Sequence, residues 1–180
     1  MKVPGVDDYC YPVLEEAEQV TKPTTQVESR RVRRKILAIA SAGGHWVQLL
    51  RLREAFDGVD VTYVTTNKSY KMMVEGARFF SVTDANRHKK LRMVLLVLQM
   101  FWILIRERPT VIVTTGAAPG FIAIRLGKWF GAKTLWIDSI ANAEELSLSG
   151  RLATKHADAV LTQWQHLALT SETEYKGAVI

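Results

Sequence analysis

The amino-acid sequence predicts an α/β fold, a Rossmann-like parallel sheet flanked by helices. Three observations carry this prediction. From residue 35 onward, short apolar runs alternate with segments of helical periodicity. The apolar runs are nearly continuous, as in strands that helices cover on both faces. A glycine-rich turn follows the first run, at the end of the strand where ligands approach parallel sheets.

The composition bounds the size and the chemistry of the protein. The 180 residues, 48% of them hydrophobic, suit one ordinary globular domain. The formal net charge of +6 favours an anionic partner but does not distinguish phosphate, nucleic acid and an acidic membrane. Cys10 is the single cysteine, which excludes an intrachain disulfide and a cysteine metal cluster. No secretory signal and no run of about 20 apolar residues is found, so no membrane-spanning helix is expected.

Two regions are expected along the chain. Residues 1–34 carry acidic residues first and a basic run afterwards, without sustained periodicity, which predicts a mobile polar and basic tail. The basic run either contacts anionic lipid or is simply solvated. Residues 35–180 are expected to form the folded domain.

The elements of this domain follow from the periodicity in chain order. Apolar runs predict strands at 35–41, 59–66, 78–82, 110–116, 132–138 and 157–163. Helical spacing predicts helices at 46–56, 68–75, 88–107, 121–130 and 149–156, and Pro109 ends the long third helix. The alternation favours the strand order 3-2-1-4-5-6, which places ligands at the carboxyl ends of strands 1 and 4.

Two glycine loops follow those two strands. Glycines let the backbone turn tightly and approach a ligand closely, and the amides of the helix that follows point at an anion. Two such loops side by side suit a diphosphate, for which we predict contacts from Gly43, Gly44, Gly116, Ala117 and Gly120. The alternative for each loop is a plain tight turn. The P-loop and G-x-G-x-x-G motifs are both missing, which disfavours nucleotide-triphosphate and nicotinamide sites.

Five motifs in order carry a resemblance to a known family. They are SAGGHWVQLLRL (41–52), TTGAAPG (114–120), DSIANAEELSLSGRL (138–152), ADAVLTQW (157–164) and YKGAVI (175–180). The set and order of these motifs resemble those of the membrane-associated subunit of the eukaryotic dolichol-diphosphate-GlcNAc N-acetylglucosaminyltransferase. They also resemble those of bacterial exopolysaccharide and capsule glycosyltransferase subunits. The resemblance implies the N-terminal half of a GT-B glycosyltransferase, related to that of the peptidoglycan transferase MurG. The chain departs from the family in its polar tail, where the eukaryotic subunit has a membrane anchor, and in Asp138, where glutamate is frequent.

The resemblance also implies a function. A partner chain binds the nucleotide sugar, while this lobe binds a polyprenyl-diphosphate-linked sugar at the cytoplasmic face of a membrane. The activity is then that of a hexosyltransferase subunit, inactive without its partner, in polysaccharide or lipid-linked oligosaccharide synthesis. The donor is UDP-linked, the transfer inverts by direct displacement, and neither cofactor nor nucleic acid takes part. The alternative is a non-catalytic anchor or scaffold for a soluble glycosyltransferase.

Individual residues receive roles on this basis. His45 is the candidate general base, or a hydrogen-bond donor to a phosphate of the acceptor. The alternative is a structural role, in which it caps the helix or fills space. Asp138, Ser139, Asn142 and Glu144 follow strand 5 and are candidate acceptor-sugar contacts, unless they form a plain polar loop. His88, His156 and His166 lack ligand spacing, so no metal is expected.

Two surfaces complete the prediction. Trp164, Tyr175 and Gly177 are candidates for the partner interface, with a frayed tail as the alternative. The helix at 88–107 is apolar all round and bordered by cations, which favours insertion parallel to a membrane surface over a fully buried core helix. Its apolar dozen residues span about 18 Å, short of the ~30 Å that a crossing needs. The predicted membrane contacts are Lys89, Lys90, Arg92, Leu96, Met100 and Trp102.

Overall fold

The computed structural model describes residues 34–85 and 89–179. The predicted tail over residues 1–34 lies outside these ranges except for Arg34, and so does His88. Both remain predictions.

A parallel sheet of seven strands carries the fold. Its strands are β1 (Lys35–Ile39), β2 (Asp60–Thr65), β3 (Arg78–Ser81), β4 (Val111–Thr114), β5 (Lys133–Ile137), β6 (Ala159–Thr162) and β7 (Glu174–Tyr175). They lie in the order β3-β2-β1-β4-β5-β6-β7, and every pair is parallel. The predicted fold class and the predicted order of the first six strands are confirmed. The short edge strand β7 was not predicted, because two residues are too few for a periodicity.

In the part of the chain that the structure describes, five α-helices and two 3₁₀ segments accompany the strands. The helices are α1 (Gly44–Arg51), α2 (Lys90–Glu107), α3 (Ala117–Trp129), α4 (Leu148–Ala153) and α5 (Gln165–Thr170), and the 3₁₀ segments are Arg53–Phe56 and Lys68–Val74. Helix α3 begins before the predicted residue 121, since Pro119 stands in its first turn, where a missing N–H leaves no helical bond unmade. Helix α5 was not predicted.

The helices divide between the two faces of the sheet because successive strand residues point in opposite directions. Leu37 and Ile39 of β1 pack under α2 and α3, whereas Ala38 and Ala40 pack under α1 and the 3₁₀ segments. Helix α4 lies beside α3, on the same face of the sheet as α2. The faces are therefore a long-helix face, formed by α2, α3 and α4, and an opposite face that carries α1.

Helix α2 shows which of its sides the sheet covers. Leu96 and Met100 are fully buried in the core under α2, so the prediction that they contact lipid is wrong. They lie one turn apart on the row that faces the sheet, and that row continues through Leu104. The opposite side keeps large apolar side chains exposed, namely Leu91, Val94, Leu95, Leu98, Phe101, Trp102 and Ile105. We call these seven residues the apolar stripe of α2.

Candidate functional site at the carboxyl edge of the sheet

The two glycine loops meet at one point of the carboxyl edge. Strand β1 pairs with β4, and Ile39 stands opposite Thr114 at the last residues of both strands. The loops that follow, Ala40–Gly43 and Thr115–Gly116, therefore leave the sheet side by side. The strand order reverses at this point, which is where open α/β sheets bind ligands.

The first loop presents a helix start that no side chain caps. Gly43 is the N-cap of α1 with φ +81°, a conformation that favours glycine. Its amide donates to Tyr70 Oη at 3.3 Å, and the Ala42 amide donates to Thr66 Oγ1 at 3.0 Å, which fixes the loop. The amides of the first three helical residues have no partner inside the helix. Gly44, His45 and Trp46 thus offer donors at the edge.

The second loop offers fewer free donors than the sequence suggested. The Gly116 amide donates to Thr114 Oγ1 at 3.1 Å, and Pro119 has no N–H, which leaves Ala117 and Ala118 as donors of the first turn of α3. Gly120 is buried, and a Cβ there would lie 2.0 Å from Thr114 Oγ1. Gly120 therefore permits close packing of α3 on β4, and the prediction that it contacts a diphosphate is wrong.

His45 bridges the two loops. Its Nδ1 lies 2.8 Å from the Thr115 carbonyl oxygen, and Thr115 Oγ1 donates to the His45 carbonyl oxygen at 2.7 Å. Because a carbonyl only accepts, Nδ1 carries the hydrogen, and in the neutral ring Nε2 keeps its lone pair. The half-exposed ring rests on Gly116, where an added Cβ would lie 2.8 Å from its Cε1. This arrangement is what a positioned proton acceptor requires.

Asp138 has a role other than the predicted one. It is 2% exposed and accepts from Trp136 Nε1 at 3.0 Å and from Asn142 Nδ2 at 3.1 Å. It also accepts from the amide of Ser147 at 2.9 Å and from its hydroxyl at 2.6 Å. Four donors fill the lone-pair positions of a carboxylate, which leaves none for a sugar. Asp138 thus shapes the loop between β5 and α4.

Ser139 is likewise engaged inside the protein. Its hydroxyl oxygen accepts from Gln48 Nε2 at 3.2 Å and from the Ala141 amide at 3.3 Å. Of the four predicted acceptor-sugar contacts, half-exposed Asn142 and exposed Glu144 remain accessible.

A glutamine network behind the loops escaped the sequence analysis. Gln163 Nε2 donates to the Asp138 carbonyl oxygen at 2.9 Å and lies 3.4 Å from Gln48 Oε1. The Val179 amide donates to Gln163 Oε1 at 2.8 Å, and Arg51 Nη1 donates to the Val179 carbonyl oxygen at 3.3 Å. The sequence shows Gln48 only as a polar residue between Val47 and Leu49, and its burial is visible only in the structure.

The same network holds the C-terminal segment, which carries two of the predicted partner residues. It anchors the C-terminal segment as far as Val179, in contrast to the frayed tail that was the alternative. Trp164 Nε1 donates to the Ile140 carbonyl oxygen at 2.8 Å, so this half-buried side chain is held against the loop after β5. Tyr175 and Gly177 are exposed beside it.

Within the two described ranges, no three His, Cys, Asp or Glu side chains are placed to hold a metal ion. His166 Nε2 lies 2.7 Å from the Ala143 carbonyl oxygen, and His156 contacts Arg125.

A sequence model of one family matches the chain over residues 54–179, and its description is "Oligosaccharide biosynthesis protein Alg14 like". No curated protein sequence is significantly similar to the chain.

Solved structures share the fold at low sequence identity. MurG of Acinetobacter baumannii has a TM-score of 0.65 and 11% identity, over 79% of this chain and 45% of that one. UDP-N-acetylglucosamine 2-epimerase of Rickettsia bellii has a TM-score of 0.62 and 14% identity, over 82% and 45%. A glycosyltransferase of Rickettsia africae has a TM-score of 0.53 and 12% identity, over 73% and 37%. The chain thus spans less than half the length of these proteins.

Proposed function

The chain belongs to the Alg14-like family of oligosaccharide biosynthesis proteins, and we propose that it is the acceptor-binding subunit of a two-component glycosyltransferase. It holds a polyprenyl-diphosphate-linked sugar at the carboxyl edge of its sheet. A partner chain contributes the lobe that binds the nucleotide sugar, as the resemblance implies. The observation that carries the proposal is the meeting of two uncapped helix starts, one of which carries His45 in contact with the loop of the other.

The free amides suit a diphosphate. Helix α1 offers three donors and α3 offers two, from neighbouring loops. Each helix start attracts an anion by about 0.3–1 kcal/mol at an exposed position. Two phosphoryl groups that share one bridging oxygen engage both helix starts at once, whereas a single phosphate engages one.

His45 is then the general base. The acceptor hydroxyl gives its proton to Nε2 while its oxygen attacks the anomeric carbon of the donor sugar, and the nucleotide diphosphate leaves with the electrons of the broken bond. The Thr115 carbonyl holds the ring by Nδ1 and stabilises the positive charge that develops on it. Asn142 and Glu144 are the proposed acceptor-sugar contacts, and Tyr175 and Gly177 the proposed partner contacts beside Trp164.

Binding by the isolated chain tests this assignment. Calorimetry with a short-chain, water-soluble polyprenyl-diphosphate sugar is expected to show binding up to roughly fivefold tighter than with the matched monophosphate, the equivalent of ~1 kcal/mol for the second helix start. UDP-sugar also carries a diphosphate but has no polyprenyl chain, and it is expected to bind more weakly. Preference for the UDP-sugar would make this the donor lobe and contradict the proposal.

We also propose that α2 lies in the membrane surface. Among the residues that the structure describes, no helix has both the length and the apolar character to cross a bilayer. The apolar stripe of α2 is open to solvent, and Lys89, Lys90 and Arg92 are exposed at the start of the helix. The stripe suits acyl chains and these cations suit anionic headgroups, while Trp102, 51% exposed, suits the boundary between them.

Glutamates in the stripe are expected to weaken membrane binding. Leu91→Glu/Leu98→Glu changes two side chains that are 76% and 58% exposed, so folding is retained while burial in lipid is lost. Flotation with liposomes is expected to show partition at least ~10-fold weaker. The matched control is Met72→Glu/Met73→Glu, which alters two exposed apolar residues of the 3₁₀ segment Lys68–Val74 on the opposite face. Unchanged partition of the stripe variant would reject the docking role.

A further inference from the structure

We infer that α3 and the segment after α4 form a second membrane contact, in which Arg125, Lys128, Lys155 and His156 bind the phosphates of anionic lipid headgroups. We call these four residues the cationic cluster. The inference rests on the proposed membrane docking of α2, and it adds a contact that sets the orientation of the lobe.

The members of the cationic cluster lie close together. Arg125 Nη1 is 3.1 Å from Nδ1 and 3.4 Å from Nε2 of His156, and because arginine only donates, it faces a ring nitrogen that carries no hydrogen. Partial burial first, and then the charges of Arg125, Lys128 and Lys155, lower the pKa of His156 below its usual value. Arg125, Lys128 and Lys155 therefore create one region of positive potential around the His156 ring.

Little negative charge offsets this potential. Asp158 is the one carboxylate paired with the cluster among the described residues, and its Oδ1 lies 3.9 Å from Lys128 Nζ. Its Oδ2 accepts from the amide and the hydroxyl of Thr134, at 2.8 and 2.9 Å. Within the described ranges, Arg125 and Lys155 form no ion pair. Cations held together without counter-charges repel one another, and an external anion relieves that repulsion.

The cluster shares the long-helix face with the apolar stripe. Adjacent packed helices lie roughly 8–10 Å apart, which places α4 about 20 Å from α2 across α3. Trp129 and Phe130 lie at the end of α3 and are 77% and 38% exposed. The Phe130 ring centroid is 5.7 Å from that of Phe101 in the stripe, so apolar surface continues from α2 towards the cluster.

This combination identifies the partner as a lipid surface. A bilayer presents hydrocarbon and a layer of phosphates together, and the long-helix face presents apolar and cationic groups together. A soluble polyanion matches the cationic cluster but leaves the apolar stripe uncovered. Contact along α2 alone permits the lobe to roll about the helix axis. A second contact on α3 and beyond α4, roughly 10–20 Å from α2, stops that roll and fixes the distance of the carboxyl edge from the headgroups.

The test compares two variants that each remove two positive charges. Arg125→Ala/Lys155→Ala alters the cationic cluster, and Lys68→Ala/Lys71→Ala alters exposed lysines of a 3₁₀ segment on the opposite face. Both are mixed with vesicles of phosphatidylcholine alone and of phosphatidylcholine with phosphatidylserine. The cluster variant is expected to bind the anionic vesicles roughly 20-fold more weakly, about fivefold per cation, and the control nearly as the wild type does. Binding to neutral vesicles is expected to be equal for all three.

Several results would overturn the inference. Equal losses in the two variants would mean that net charge alone matters, and no loss in the cluster variant would remove the contact. Competition by free inorganic phosphate at the ionic strength of a chloride control would mean a phosphate site and not a headgroup site. Transfer to a short-chain soluble acceptor, measured with the partner lobe, does not need the membrane. Its failure would reject the proposed function, whereas the vesicle result would stand.

Discussion

Replacing His45 by alanine is expected to lower the turnover of sugar transfer by about 10²–10⁴-fold, the usual contribution of a positioned general base. The physical reason is the hydrogen bond from Nδ1 to the Thr115 carbonyl, which directs the lone pair of Nε2 away from the loop. The variant loses one such bond, so its free energy of unfolding is expected to fall by only about 1 kcal/mol. Chemical denaturation and steady-state rates with the partner lobe measure the two quantities separately.

The split between kcat and KM distinguishes the two roles predicted for His45. A base acts in the transition state, so kcat and kcat/KM are expected to fall together. A rise of KM at constant kcat would instead mean that His45 only donates to the acceptor phosphate. Near-normal turnover of His45→Ala would leave the ring a structural role.

The order of the sheet was predictable because each strand leaves a strong local signal. The run from Lys35 to Ile39 is apolar after its first residue, and a glycine turn follows it. Parallel strands that are joined by helices adopt few topologies. The start of α3 was less predictable, since Pro119 and Gly120 usually interrupt a helix. Here both lie in its first turn, where a proline costs no hydrogen bond and a glycine permits close packing on Thr114.

The direction of each side chain was the harder part. Leu96, Met100 and Leu98 are equally apolar, so periodicity in a helix that is hydrophobic all round does not tell the sheet side from the outer side. Likewise, the polar character of Asp138 and Ser139 does not reveal whether their side chains face solvent. The structure shows that the two side chains serve the loop itself, through Ser147 and Gln48.

The position of His45 next to Gly116 was also beyond the sequence, because 70 residues separate His45 from the Thr115 carbonyl that it contacts. Each residue lay in a recognised glycine loop. Only the pairing of β1 with β4 brings the two loops together. The predicted convergence of the loops was therefore correct at the level of strands, while the contact that orients the ring required coordinates.

Gly116→Ala is expected to lower kcat by roughly 100-fold, through displacement of His45. The added Cβ would lie 2.8 Å from Cε1 and 2.9 Å from Nδ1 of the ring, closer than carbon and nitrogen atoms approach without bonding. The ring must then move away from the Thr115 carbonyl, so that Nε2 no longer faces the acceptor. Steady-state rates of the complex measure the loss.

A control variant at a second glycine separates the effect of backbone strain from the effect of moving His45. Gly116 has φ +129° and Gly76 has φ +83°, both in regions that favour glycine, and alanine is disfavoured at each by about 1–3 kcal/mol. Nothing lies within 4 Å of a Cβ at Gly76, which is remote from the carboxyl edge. Gly76→Ala is therefore expected to lower the free energy of unfolding by a similar amount without loss of turnover.

A double-mutant cycle completes the test. If Gly116→Ala acts by moving His45, it has little left to remove once the imidazole is gone, and the double variant is expected to turn over as slowly as His45→Ala alone. Rates that multiply in the double variant would mean that the two residues act independently. Gly116 would then influence the acceptor through the donors of Ala117 and Ala118, whose helix start it sets, and not through the position of the base.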